Sequence, residues 1–282
     1  MFSPSGAIKM DKVTRSFIEH LAVADTLITI LFYLPMFTSL VAGHWIFGPR
    51  LCWFMGFFGS HVPFMAEILI IATISCYRLW VMRKPPGVRS RMHLTHVKVI
   101  VAAIWVISSV PVFYWMSVKA SAFYLSRGMI CWTSNHLPHS PSYMSTKIFT
   151  VIFIAAPMIT VFLANIKLVH SLVLHTLRAR QPIFPHLKPV VTVSLICWAL
   201  LVSYIPIFIL IILKTTSTPI PSWFNLFQVY AKGFHVVLNP FIYVATNARF
   251  RNFVTRRLGY QNGYGRASGE SPTETPLHHN RS

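Results

Sequence analysis

Two carboxylates, Asp25 in LAVADTLI and Glu67 in FMAEILII, fall inside long apolar runs, while the remaining acids, Asp11, Glu19, Glu270 and Glu274, lie near the two ends. Paired carboxylates can run general acid–base chemistry, as in glycoside hydrolysis, but no acid lies between Glu67 and Glu270, so a hydrolytic site has little to work with. Other groups share helical faces with these two. Arg78 follows Glu67 by eleven residues, about three helical turns, and Ser60 precedes it by seven. Lys232 precedes Asn239 by seven residues and should point to the same side as that amide. Ionisable groups inside apolar spans are costly, and they mark ion paths, proton relays or switches. Two neighbouring carboxyls in a low dielectric can also share one proton.

The elements that position these groups follow from composition. The chain has 282 residues, 54% of them hydrophobic and 11% charged, against the roughly 25% charged residues of soluble domains. Such a chain cannot coat an ordinary water-facing surface, which argues against a cytosolic enzyme and for the lipid bilayer as its solvent. Apolar runs at about 17–42, 51–82, 97–118, 147–173, 188–213 and 223–245 are each long enough to cross a membrane as a helix. Pro35, Pro63, Pro111, Pro157 and Pro206 lie inside them and are expected as kinks, because neighbouring spans can re-satisfy the freed backbone groups. Lys and Arg total 25 against 6 acids, a formal net charge of +19. The cations cluster between alternate spans, around Arg83 to Lys98, around Arg178, Arg180 and Lys188, and from Arg249 to Arg257, so these segments read as cytoplasmic. That arrangement explains the basic balance without nucleic acid, and with six spans both ends lie inside.

The first twelve residues carry no apolar core of a signal peptide. In NARFRNFVTRRL, Phe250, Phe253, Val254 and Leu258 form one stripe among arginines, which predicts a short amphipathic helix on the membrane surface. The expected organisation is a cytoplasmic segment 1–16, an all-α integral membrane bundle with its surface helix over 17–258, and a disordered cytoplasmic tail over 259–282, rich in Gly, Ser, Pro and Thr. Cys76 and Cys197 fall within spans and are expected as buried packing residues. Cys52 and Cys131 fall on the outer, oxidising side, where they either remain free or pair and tie the long outer loop over the bundle; pairing is the favoured expectation.

The ordered set LAVAD ending in Asp25, WIFGPRLC with Cys52, ISCYRLWVMRKP with Arg78, Trp105, Pro157, SYIP with Pro206 and NPFIY from Asn239 through Pro240 to Tyr243 resembles the rhodopsin-like G-protein-coupled receptors over nearly the whole chain. Each motif alone is weak, but the ordered set is specific. The resemblance implies a plasma-membrane, multi-pass receptor whose Arg78, Pro206, Asn239, Pro240 and Tyr243 belong to an activation switch, with Cys52 bonded to Cys131. The first span then matches the family's second helix, so six of its seven spans are present. MFSPSGAIKMDKVTR resembles the inner loop that precedes that helix. A truncated gene model or isoform and a genuine six-helix bundle both fit this.

Several positions depart from the family's pattern. Tyr77 stands where an acid restrains the arginine, Leu79 replaces the following tyrosine, Tyr204 replaces the tryptophan of the sixth helix, and Asn165 replaces a fifth-helix tyrosine. A weaker resting lock and raised basal activity are expected. The family's sodium site matches Asp25, Glu67 and Asn239, so a sodium ion or a shared proton is expected there, with a neutral Glu67 that bonds across helices as the alternative. Ser60 stands where amine receptors carry an aspartate, which argues against biogenic amines. Ser60, Lys232 and Trp132 are the expected ligand-pocket residues, and the absence of outer acids favours an anionic, lipid-like or neutral ligand, or a peptide. Lys232 is one position from the opsin lysine, a turn of about 100°, which argues against retinal. The implied partners are an extracellular ligand, a heterotrimeric G protein, arrestin and receptor kinases. A six-helix transporter or channel using Asp25, Glu67 and Lys232, and a non-signalling fragment, are the alternative functions.

Overall fold

A computed structural model describes residues 12–83, 92–125, 130–134, 142–178, 184–215 and 221–246, together with 251, 252, 255 and 257. The 259–282 tail, most of the inner loops, the outer-loop residues Arg127, His136 and His139, and the apolar stripe of the expected surface helix lie outside the described residues. Among the described residues five helical stretches are long and apolar enough to cross a membrane: Lys12–Ala42, Gly48–Met82, Leu94–Ser117, Tyr143–Ser171 and Val190–Leu210. The sixth expected span is helical too, but it is divided.

The first span comprises α1 (Lys12–Ile28), a π-helical turn at Thr29–Tyr33, and α2 (Leu34–Ala42), with Pro35 placed in the first turn of α2. It starts within the segment 1–16 that the sequence suggested as loop. The second is α3 (Gly48–Phe54), a π turn at Met55–Gly59, and α4 (Val62–Met82). Here Pro63 restarts the helix after a break at Ser60 and His61, instead of merely kinking it; proline's missing N–H is tolerated in a first turn. The third span is α5 (Leu94–Ser117), with Pro111 inside it. The fourth is α6 (Tyr143–Thr150), a π turn at Val151–Ala155, and α7 (Ala156–Arg178), and the fifth is α8 (Phe184–Thr215), which carries Pro206. The last run splits at Gly233 into α9 (Ser222–Lys232) and α10 (Phe234–Thr246).

Burial ranks the helices. The apolar window of α3–α4 is 72% buried, against 33% to 39% for the other four spans. The reason lies in the sequence of α4, which is apolar on every side and so suits a position surrounded by other helices. It packs against α1, α5, α7 and α8, while α8 also packs on α9 and α10. The main core joins Phe17 and Leu21, Ile68 to Ile74, Val97 and Val101, and Leu200 and Tyr204. The outward faces carry Phe37, Val99, Val106, Phe113, Ile159, Val202 and Phe241, a coat suited to lipid chains.

Two features differ from the sequence expectation. The outer loop folds as an antiparallel hairpin, β1 (Ala122–Leu125) with β2 (Ile130–Thr133), pairing Tyr124 with Cys131. Cys76 is exposed on the lipid-facing side of α4, not buried, because the helix turns its interior face toward Ser75 and Arg78. Cys197 is buried as expected, with its sulfur 3.2 Å from Ser75 Oγ.

Candidate functional site

Cys52 and Cys131 form a disulfide, which ties β2 to the outer end of α3. The hairpin therefore lies over the outer end of the central helix. The Cys52–Arg78 interval is one residue longer than is usual in the receptors the sequence resembles, and within it the π turn Met55–Gly59 and the Ser60–His61 break interrupt the helix. A π turn is the usual way a helix accommodates one inserted residue.

Below the break the interior of α4 faces the polar centre of the bundle. Glu67 is fully buried, and its Oε1 stands 2.5 Å from Nε2 of His235, also fully buried, on α10. The two side chains are in close polar contact, an ion pair only where the imidazole is protonated, and the angles fall short of an aligned hydrogen bond. Asn239, one turn further along α10, donates from Nδ2 to Asp25 Oδ2 on α1 at 2.8 Å. The Asp25 and Glu67 carboxyls interact with each other, so the two pairs form one cluster. Lys232, at the end of α9, places its ammonium 3.5 Å from the centre of the Phe64 ring and 6.0 Å from that of Phe32, within electrostatic reach of Glu67. A cation over an aromatic face is stabilised by the ring quadrupole, more so when desolvated.

The structure brings Asp25, Glu67 and Asn239 together and places Lys232, which the sequence suggested for the ligand pocket, within electrostatic reach of Glu67. His235 was missed. Its signal was available, since it lies four residues before Asn239 and three after Lys232 in an otherwise apolar stretch. His61 was missed as well: it is buried, its ring centre lies 4.8 Å from that of Trp115 and 6.4 Å from that of Trp132, and its Nδ1 stands 2.8 Å from Ser60 Oγ. Ser60 itself donates to the Gly56 carbonyl at 2.6 Å. Ser60 is buried, while Trp132 and Lys232 are half-buried. The small cavity under the hairpin is lined by others, Phe32, Met36, Trp45, Met55, Ile130 and Cys131.

Toward the inner end, Arg78 is buried, with 8% of its surface exposed, which sets it apart from an arginine reaching out to headgroups. Tyr77 is turned toward the first span, with its ring centre 6.3 Å from that of Phe17 and 6.2 Å from that of Trp80. Tyr204 is fully buried and stands 5.9 Å, centre to centre, from the His235 ring. Trp198 is exposed and packs edge-on against Phe162, which supports aligning Tyr204 and Pro206, not Trp198, with the sixth-helix motif. Asn165 is buried and donates to the Val161 carbonyl at 2.9 Å, and Tyr243 packs at the edge of the main core.

Comparison with known proteins agrees with this architecture. The family described as "7 transmembrane receptor (rhodopsin family)" matches residues 5–243. The neuromedin-K receptor of Cavia porcellus is 25% identical over 263 residues, covering 86% of this chain and 57% of the relative. That of Homo sapiens is 24% identical over 259 residues, covering 86% of this chain and 54% of the relative. The chain thus spans little more than half the length of these relatives. Squid rhodopsin shares the fold at a TM-score of 0.71 and 18% identity, over 86% of this chain and 70% of its own. With the disulfide-tied hairpin, the central helix and the Asp25–Asn239 pair in place, the chain belongs to the rhodopsin family of seven-transmembrane receptors, multi-pass proteins of the plasma membrane.

Proposed function

We propose that this chain converts binding of an extracellular ligand into activation of a heterotrimeric G protein. One observation carries the reading. Polar contacts between helices, the part-buried Asp25 with Asn239 and the fully buried Glu67 with His235, join the first, central and last helices above the buried Arg78, so a shift of one helix changes the partners of all. A bundle held by a few buried polar pairs has two discrete arrangements available, and a ligand that prefers one shifts the population. The inner surface for the transducer would comprise Arg78, the basic segment from Arg83 to Lys98, and Arg178 with Arg180. Ser268, Ser271, Thr273 and Thr275 are the proposed acceptors for receptor kinases, with arrestin as the partner of the modified tail.

The ligand would enter beneath the hairpin, toward Ser60, His61, Trp132 and Lys232. Ser60 supplies a hydroxyl where an amine would need a carboxylate, so a biogenic amine is disfavoured. Neuromedin K, for which the relatives are named, is the first ligand to try. The test is guanine-nucleotide exchange on a panel of G proteins in membranes bearing the full chain at measured surface density. Exchange above that of vector membranes, abolished by Arg78→Ala, is expected. Ion flux with no exchange on any G protein would instead support a transporter or channel.

A further inference from the structure

Sodium is the ion that the resemblance assigns to the Asp25, Glu67 and Asn239 positions, and the side chains around them are poorly made for it. A hard cation needs several oxygen ligands converging on one point. Glu67 turns an oxygen onto the His235 nitrogen at 2.5 Å, and Asp25 receives the Asn239 amide N–H at 2.8 Å. An imidazole fills the place of an ion whether it carries one proton or two. Lys232 adds a full positive charge in the same dry space, held on the Phe64 ring.

We infer that Lys232 and His235 are a built-in substitute for the sodium ion: they hold the Glu67 carboxyl, and the Asp25–Asn239 pair beside it binds no sodium. All three basic or amide groups come from one short stretch, the end of α9 and the first turns of α10, on either side of the Gly233 break. The last helix therefore carries its own basic partners for the carboxyls of the first and central helices. Their attraction is intramolecular, and the balance between states does not follow extracellular sodium.

Among the described residues the titratable groups facing this centre are Asp25 from α1, Tyr33 from the π turn, His61 at the break before α4, Glu67 from α4, Tyr204 from α8, and Lys232, His235 and Tyr243 from the last run. Lys232 and His235 are the basic groups that act on the two carboxyls, so their removal should open an ion site. The test is thermal unfolding of the purified full chain in sodium chloride and in choline chloride at equal ionic strength, so that screening is constant. The natural chain is expected to unfold at the same temperature in both salts. Lys232→Met with His235→Asn is expected to unfold at a higher temperature in sodium, with a saturable dependence on its concentration. Should the double variant fail to fold, each single variant is read the same way. A saturable rise specific to sodium in the natural chain overturns the inference, and so does the absence of any such rise in variants that fold. The measurement needs neither ligand nor G protein, so its outcome is separate from that of the exchange assay.

Discussion

A buried acid that touches a buried histidine is destabilising when either partner is lost, because the survivor stays in the apolar interior without its partner. Removing one member of such a pair typically costs about 3–5 kcal/mol, whereas exchanging both for neutral groups of similar shape is far milder. Glu67 and His235 are both fully enclosed, so the penalty should be near full size. His235→Ala is therefore expected to lower the unfolding temperature sharply, and Glu67→Gln added to it should restore part of the loss. A double-mutant cycle read by thermal unfolding checks this, and additive single effects would deny that the two side chains interact. Asp25→Asn should be gentler, since Asn239 can still bond a neutral amide after its own amide reorients. Asp25 and Glu67 were legible because an acid inside an apolar span is rare enough to attract notice, and Asn239 was legible through the resemblance carried by NPFIY. His235 was passed over although its spacing from Lys232 and Asn239 was a signal, because a single histidine in an apolar run looks like packing until its partner across the bundle is known.

At the scale of an element, the last run is broken where it meets the first span. A Cβ at Gly233 would stand 2.2 Å from Cζ of the Tyr33 ring, closer than any real contact, while Tyr33 Oη donates to the Val229 carbonyl at 3.1 Å. The ring lies against the bare backbone, and that contact sets the direction in which Lys232 and His235 project. Gly233→Ala should cost about 1–3 kcal/mol through overpacking, and most of that cost should vanish in a Tyr33→Val background where the ring is absent. Unfolding temperatures of the two singles and the double test this, and an equal penalty in both backgrounds would rule out the ring as the cause. Such breaks explain what the sequence conveyed and what it withheld. The six apolar runs and the outer disulfide were legible, since each depends on composition or on one pair of residues, whereas Pro35 and Pro63 start new helices where kinks were expected. The π turns at Thr29–Tyr33, Met55–Gly59 and Val151–Ala155, the division at Gly233 and the hairpin over 122–133 were not legible. They are local adjustments to neighbours that only the packed bundle supplies.

The molecule as a whole is a central helix, α4, with the other spans around it, and on the proposed function its resting state would depend on what restrains Arg78 at the inner end. Tyr77 occupies the position from which an acid would hold that arginine, but its ring packs toward Phe17 and Trp80 and supplies hydrophobic contact without charge. On the proposed function, the lack of that acid should weaken the restraint on the closed arrangement, so a larger share of molecules should sit in the open one without ligand. Coupling energies of this kind run at about 1–3 kcal/mol, or roughly 5- to 150-fold in an equilibrium. Tyr77→Asp is therefore expected to lower basal nucleotide exchange by about fivefold or more at matched surface density. Because the substitution also removes a packed ring, Tyr77→Phe is the companion variant: it keeps the contact with Phe17, adds no charge, and should leave basal exchange as it is. If the aspartate variant reaches the surface, binds G protein when activated, and still exchanges nucleotide at the natural rate, then the missing acid does not set the basal level. The restraint must in that case come from the buried cluster one helix-half above, where Lys232 and His235 meet Glu67.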